Sequence, residues 1–107
     1  GQIIDLLFLA TTSRNRFDIF LAILKNNVVN NVIFEKVVFQ KPLHYLECEK
    51  LLKEKNIKGW INTWPRQAKF FADIRKYLTP EKKQLKVYGN KWGLACNAIH
   101  YIDLFLF

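Results

Sequence analysis

The chain has 107 residues, half of them hydrophobic and 15% aromatic, with 17 basic against 9 acidic side chains and a formal net charge of +8. This length leaves room for the core of one small domain, and the apolar content excludes disorder. No apolar run approaches the ~20 residues of a membrane span, so the basic excess points instead to an anionic partner, either nucleic acid or a phosphate-bearing small molecule.

Ile3 to Ala10 is a near-continuous apolar run, as expected of a strand buried on both faces. Thr11-Thr12-Ser13 ends it, and Ser13 is placed to cap a helix over roughly 14–25, where Phe17, Phe20, Leu21 and Leu24 form one apolar stripe. Asn26-Asn27 closes that helix, and Val32 to Glu35 forms a short buried strand. Pro42 suits the first turn of a helix running to about Lys55, with Tyr45, Cys48 and Leu52 facing the sheet and Glu49–Lys53 an exposed pair. Asn56 caps it, and Ile57 to Asn62 forms a third strand. Alternating strands and helices joined by short links predict parallel strands with right-handed crossovers.

After Asn62 the character changes. Pro65 opens a helix whose Trp64, Ala68, Phe71, Ile74 and Leu78 make a core stripe, and Thr79-Pro80 stops it. Glu81-Lys82-Lys83 reads as a solvated turn, Gln84 to Tyr88 as a half-buried strand and Gly89-Asn90-Lys91 as a turn. A last apolar helix begins near Trp92.

The lysines are spread along the chain and no zinc-finger, RNP or basic-region pattern accompanies them, so a nucleic-acid partner is not expected. Cys48 and Cys96 lack CxxC spacing, which speaks against a disulfide or a metal site and for a reducing, cytoplasmic setting. No signal peptide is visible. There is no Met, and both ends are apolar runs without caps, so an internal fragment of a longer protein is expected.

Three groups of residues could carry chemistry. Glu35-Lys36 stands at the carboxyl end of a strand, where open α/β sheets bind ligands, although an exposed Glu-Lys pair taken alone is ordinary surface. Asn97, His100 and Asp103 recur every third residue, near one face of the last helix, and histidine is the natural proton acceptor near neutral pH. Ala10-Thr11-Thr12-Ser13 opens a helix with hydroxyls and backbone N–H groups, which suit an anion.

Strand, Ala-Thr loop, helix, strand ending in Glu35-Lys36-Val37, helix, strand and a later helix with His100-Tyr101-Ile102-Asp103: this order resembles the Gfo/Idh/MocA oxidoreductases, a family that includes glucose–fructose oxidoreductase and inositol dehydrogenase. The phrase Trp92 to Phe105 is similar to a branch found in bacterial surface-sugar clusters. The resemblance covers nearly the whole chain, but the chain covers only part of the family's length. It departs from the family at Val37, where the family has Pro, at Arg16, where it has His, and at Cys96, where many relatives carry Asp.

The resemblance implies an α/β fold. A partial Rossmann-type parallel sheet (β-α-β-α-β-α) over residues 1–63 would lead into the start of an α+β C-terminal domain over 64–107. It implies that the full-length protein is an NAD- or NADP-dependent enzyme moving hydride to or from a sugar or nucleotide-sugar hydroxyl and is homo-oligomeric, with this fragment alone expected to be inactive. Lys36 and His100 would be catalytic; Ala10, Thr11, Thr12, Ser13, Glu35 and Lys36 would contact cofactor; Arg66 and Asn97 would contact substrate. The alternatives are a non-catalytic interaction or assembly module on the same fold, and a basic nucleic-acid-binding domain.

Overall fold

A computed structural model describes residues 1–79 and 84–106, which fall into two units, Gly1–Asn62 and Thr63–Phe107. Among the described residues it is a mixed α/β structure with parallel sheets and four α-helices. None of its helices is long and apolar enough to cross a membrane.

In the first unit the opening apolar run divides into β1 (Ile3–Ile4) and β2 (Leu7–Leu9). The break is held from the neighbouring strands: Asn30 Nδ2 donates to Asp5 Oδ1 (2.9 Å) and Asn31 Nδ2 to the Asp5 carbonyl (2.6 Å). Helix α1 (Arg16–Asn26) leads to β3 (Val28–Val29) and β4 (Asn31–Glu35), and α2 (Pro42–Glu54) leads to β5 (Lys58–Asn62). β1 pairs with β3, and the other strands line up as β2-β4-β5, all parallel.

Side chains alternate across these strands, and among the described residues one face carries the buried core. Leu9, Val29, Val32 and Phe34 meet Phe17, Phe20 and Leu24 of α1 and Cys48 of α2 in a single core. Burial pushes the Cys48 thiol up to about 11, so it packs as an uncharged small hydrophobe. Gly59 faces the same side, opposite Val32, and a side chain there would come within 2.9 Å of Leu52 Cδ1 of α2. The row Phe8–Ile33–Trp60, in register across three strands, points the other way. Phe8 is 53% and Trp60 49% exposed, and Ile3 and Val28 are exposed as well, so the expected burial on both faces does not hold. Both helical crossovers contribute their packed residues to one side of the sheet.

Two helix ends differ in how they are made. Asn56 takes a left-handed conformation (φ 53°) and ends α2 as expected, with Ile57 N donating back to the Leu52 carbonyl (2.8 Å). Ser13 does not cap α1: the cap position is Asn15, two residues later, and the Ser13 hydroxyl accepts from Gln40 Nε2 instead (3.3 Å).

In the second unit the expected long helix from Pro65 is split. A 3₁₀ turn spans Trp64–Gln67 and α3 spans Lys69–Arg75, because Ala68 between them is extended (ψ 127°). The expected core stripe is not buried: Trp64 is 60% exposed, and Ile74 and Leu78 are exposed too. Residues 84–88 form no strand; Leu85 and Tyr88 face solvent, and the pairing partner that alternation requires is missing among the described residues. The expected turn at 81–83 and Pro80 lie outside the described residues. The last helix, α4 (Leu94–Leu106), begins after Gly93, which has a positive φ of 68°.

Candidate functional site

The parallel strands β2, β4 and β5 end together, and their carboxyl edge carries the loop 10–15 after β2 and the loop 36–41 after β4. The second loop turns inward, since Val38 and Phe39 are both buried. A loop that dives into a core takes backbone carbonyls with it, and these must find donors. Side chains supply them.

Arg16, at the start of α1, is 97% removed from solvent, with 3% of its surface left exposed. Its Nη1 donates to the carbonyls of Glu35 (2.5 Å), Val37 (2.7 Å) and Val38 (2.9 Å), and its Nη2 to the carbonyl of Thr11. Tyr45 of α2 serves the next residue, its hydroxyl accepting from Phe39 N (3.1 Å) and donating to Phe39 O (3.0 Å). Beneath them Phe39 packs edge-on against Phe17 and Phe34, and His44 stacks on Phe17 with ring centroids 4.3 Å apart. Burial lowers the Arg16 pKa, and the nearby Glu35 charge opposes that shift. The guanidinium stays protonated, since arginine has the largest reserve of basicity of any side chain.

The residues expected at a cofactor separate into groups. Ala10 and Thr12 are exposed on the rim, and Ser13 is half-buried against Gln40. The Thr11 hydroxyl is buried without a hydrogen-bond partner. Glu35 is half-buried and its carboxylate accepts from Asn62 Nδ2 at the end of β5, which ties the third strand end to the second. Lys36 is half-buried at the head of the inward loop, and its peptide bond to Val37 is cis.

The second unit holds the remaining expected residues. His100 is buried on α4 with its ring tilted against Trp64, centroids 6.2 Å apart. Asp103, one turn on, forms a two-point pair with Arg66 of the 3₁₀ turn, with Nε to Oδ2 at 2.7 Å and Nη2 to Oδ1 as the second contact. Asn97 Nδ2 donates to the Trp92 carbonyl (2.6 Å), folding back over the start of α4. Arg66 and Asn97 are thus both engaged inside their own unit. Cys96 is exposed.

The Arg66 hydrogen bonds hold the Asp103 carboxyl below the usual carboxylate range; burial opposes this, and a Thr63 hydrogen bond adds to it. A carboxyl whose folded pKa lies below its unfolded value stabilises fully above the unfolded value. The second unit should therefore lose stability as the pH falls below the ordinary aspartate range near 4, and Asp103→Asn should flatten that acid limb in melts followed across pH 2–6. An unchanged acid limb in the variant would show that another group sets it.

Arg16, Gln40, Tyr45 and Asn62 do the assembling, and their roles are not evident from motif or spacing alone. One signal did exist for Arg16: it stands four residues before Phe20 and eight before Leu24, on the inward stripe of α1. No group of three or more His, Cys, Asp or Glu side chains among the described residues could hold a metal ion. Against known proteins the chain matches no family model, no curated protein and no solved structure.

Proposed function

We propose that the chain is the nicotinamide-facing part of an NAD- or NADP-dependent oxidoreductase acting on a hydroxyl of a sugar or nucleotide sugar. The observation that carries this reading is the joining of loops 10–15 and 36–41 at the carboxyl edge of parallel strands, through Arg16 and through Ser13–Gln40. Open α/β sheets bind ligands at that edge. The two loops carry the Thr12 and Ser13 hydroxyls and the Lys36 ammonium, groups that suit a polyhydroxylated, anionic ligand. Neither loop contains glycine, so these residues fit the nicotinamide–ribose half of a dinucleotide and not its pyrophosphate.

Bound nicotinamide would supply the hydride acceptor. Ala10 to Ser13 and Glu35 would line it, and Lys36 would donate to the substrate oxygen as alkoxide character develops there. The resemblance carries the role of proton acceptor to His100 of the second unit. Arg66 and Asn97 would shape the sugar site, the first through its pair with Asp103. Such an enzyme would act in the cytoplasm as a homo-oligomer.

A second reading, a non-catalytic assembly module, is favoured by the uncovered apolar row around Phe8 and Trp60, since parallel sheets are ordinarily covered on both faces. The net charge of +8 keeps nucleic acid as the third. Thermal melts with NAD(H), NADP(H) and duplex DNA at several salt concentrations separate the three. For the full-length protein the oxidoreductase reading expects a melting temperature that climbs with dinucleotide concentration, whereas this part alone, without a glycine-rich turn, would bind dinucleotide weakly. Steeply salt-dependent DNA affinity without any dinucleotide effect would reverse the order, and no response to either would favour assembly.

A further inference from the structure

From the Glu35 carbonyl, at the end of the β4 ladder, to Phe39 the backbone is held by side chains from two helices. Three of its carbonyls, those of Glu35, Val37 and Val38, share the Arg16 guanidinium, and Phe39 uses Tyr45 for both of its backbone groups. The same guanidinium reaches the Thr11 carbonyl in the other loop. We infer that Arg16 is a positioning residue that fixes the spacing of the two loops and, through the loop it anchors, the place of Lys36 on the rim. Only the identity of the ligand at that rim rests on the proposed function.

Three features fit a staple better than a simple packing residue. The cation is buried among carbonyl oxygens, and four of these accept from Nη1 and Nη2, while Nε is buried without a hydrogen-bond partner. Its partners come from two segments that are otherwise joined at the rim by the 3.3 Å contact between Gln40 and Ser13. A planar guanidinium can address acceptors on both sides of a gap, whereas a lysine ammonium at the end of a flexible stem cannot hold all four. Lys36 follows directly on Glu35, whose carbonyl is the first of those acceptors. A shift of the staple is therefore a shift of the Lys36 backbone.

The test is amide hydrogen exchange and amide NMR on the ligand-free chain, comparing wild type, Arg16→Lys, Tyr45→Phe, Gln40→Ala and the Arg16→Lys/Tyr45→Phe double variant. Arg16→Lys keeps the charge but should raise exchange in both 11–14 and 36–39 by about ten- to a hundredfold, the equivalent of losing a charge-assisted hydrogen bond. Protection at Ile33 and Phe34 in β4 should hold. Tyr45→Phe should disturb the amides of both loops in wild type, and only those of 36–39 in the Arg16→Lys background. Gln40→Ala should leave protection in both loops near wild type. Equal loosening everywhere in Arg16→Lys would make Arg16 an ordinary stability residue and overturn the inference. So would a Tyr45→Phe disturbance confined to 36–39 in wild type, which decides the matter even if Arg16→Lys fails to fold. A full-length protein that binds no dinucleotide overturns the proposed function alone, since these comparisons are made without ligand.

Discussion

Phe20→Ala should destabilise the first unit by about 3–5 kcal/mol, whereas the adjacent Leu21→Ala should cost well under half of that. Phe20 has no exposed surface and meets Phe34 of β4 edge-on, with ring centroids 5.2 Å apart. Its removal leaves a cavity between helix and central strand that neighbours on a rigid sheet fill poorly. Leu21 is 38% exposed, so most of what it would lose is already lost to water. Small domains have only about 5–15 kcal/mol in hand, so Phe20→Ala should unfold at a far lower denaturant midpoint with an unchanged slope. Urea melts of the two variants decide it. Equal costs would mean that α1 presents a different face to the sheet.

That pair of residues also marks how far the sequence can be followed. Periodicity placed Phe17, Phe20, Leu21 and Leu24 in one stripe, and the helix buries three of them while leaving Leu21 at the rim. The stripe centre is a local property of the helix; its edge depends on which neighbour arrives beside it. β4 was legible for the same reason, since Val32 and Phe34 are buried by alternation within the strand itself.

The features that escaped are held together over long sequence distances. The break in the first apolar run depends on Asn30 and Asn31, more than twenty residues away. Ser13 has the chemistry of a helix cap, but Gln40 takes its hydroxyl and the helix starts later. In the second unit, propensity favours one helix from Pro65, yet Ala68 is extended and the chain restarts at Lys69. Alternation at 84–88 is a strand pattern without a partner strand among the described residues, and such a pattern alone makes no sheet. For the site, the position of Glu35-Lys36 followed from where a strand must stop. The guanidinium that shapes the loop beyond it does not follow, because an arginine near a helix start ordinarily points to water.

In the full-length enzyme Lys36→Ala should lower kcat and kcat/KM together in steady-state kinetics on a sugar substrate. The expected size is about 10²–10⁴-fold, the range for losing a group that acts on the reacting oxygen or its proton. The two constants move together if the ammonium interacts with the alkoxide of the transition state more strongly than with the ground-state hydroxyl. Lys36→Arg should recover only part of the rate, since a planar fork cannot place one donor where a compact ammonium does. His100→Ala is the weaker probe by itself, since His100 is buried beside Trp64 and sits one turn from the Asp103–Arg66 pair, so packing and chemistry would be lost together. Its pH–rate profile separates them: a proton acceptor leaves a limb in kcat/KM that vanishes in the variant, while a packing residue lowers the whole curve. If Lys36→Ala raises only KM, the ammonium serves binding in the ground state. If kcat and KM are both near wild type in a folded variant, Lys36 is a surface lysine at a strand end and the proposed chemistry is wrong.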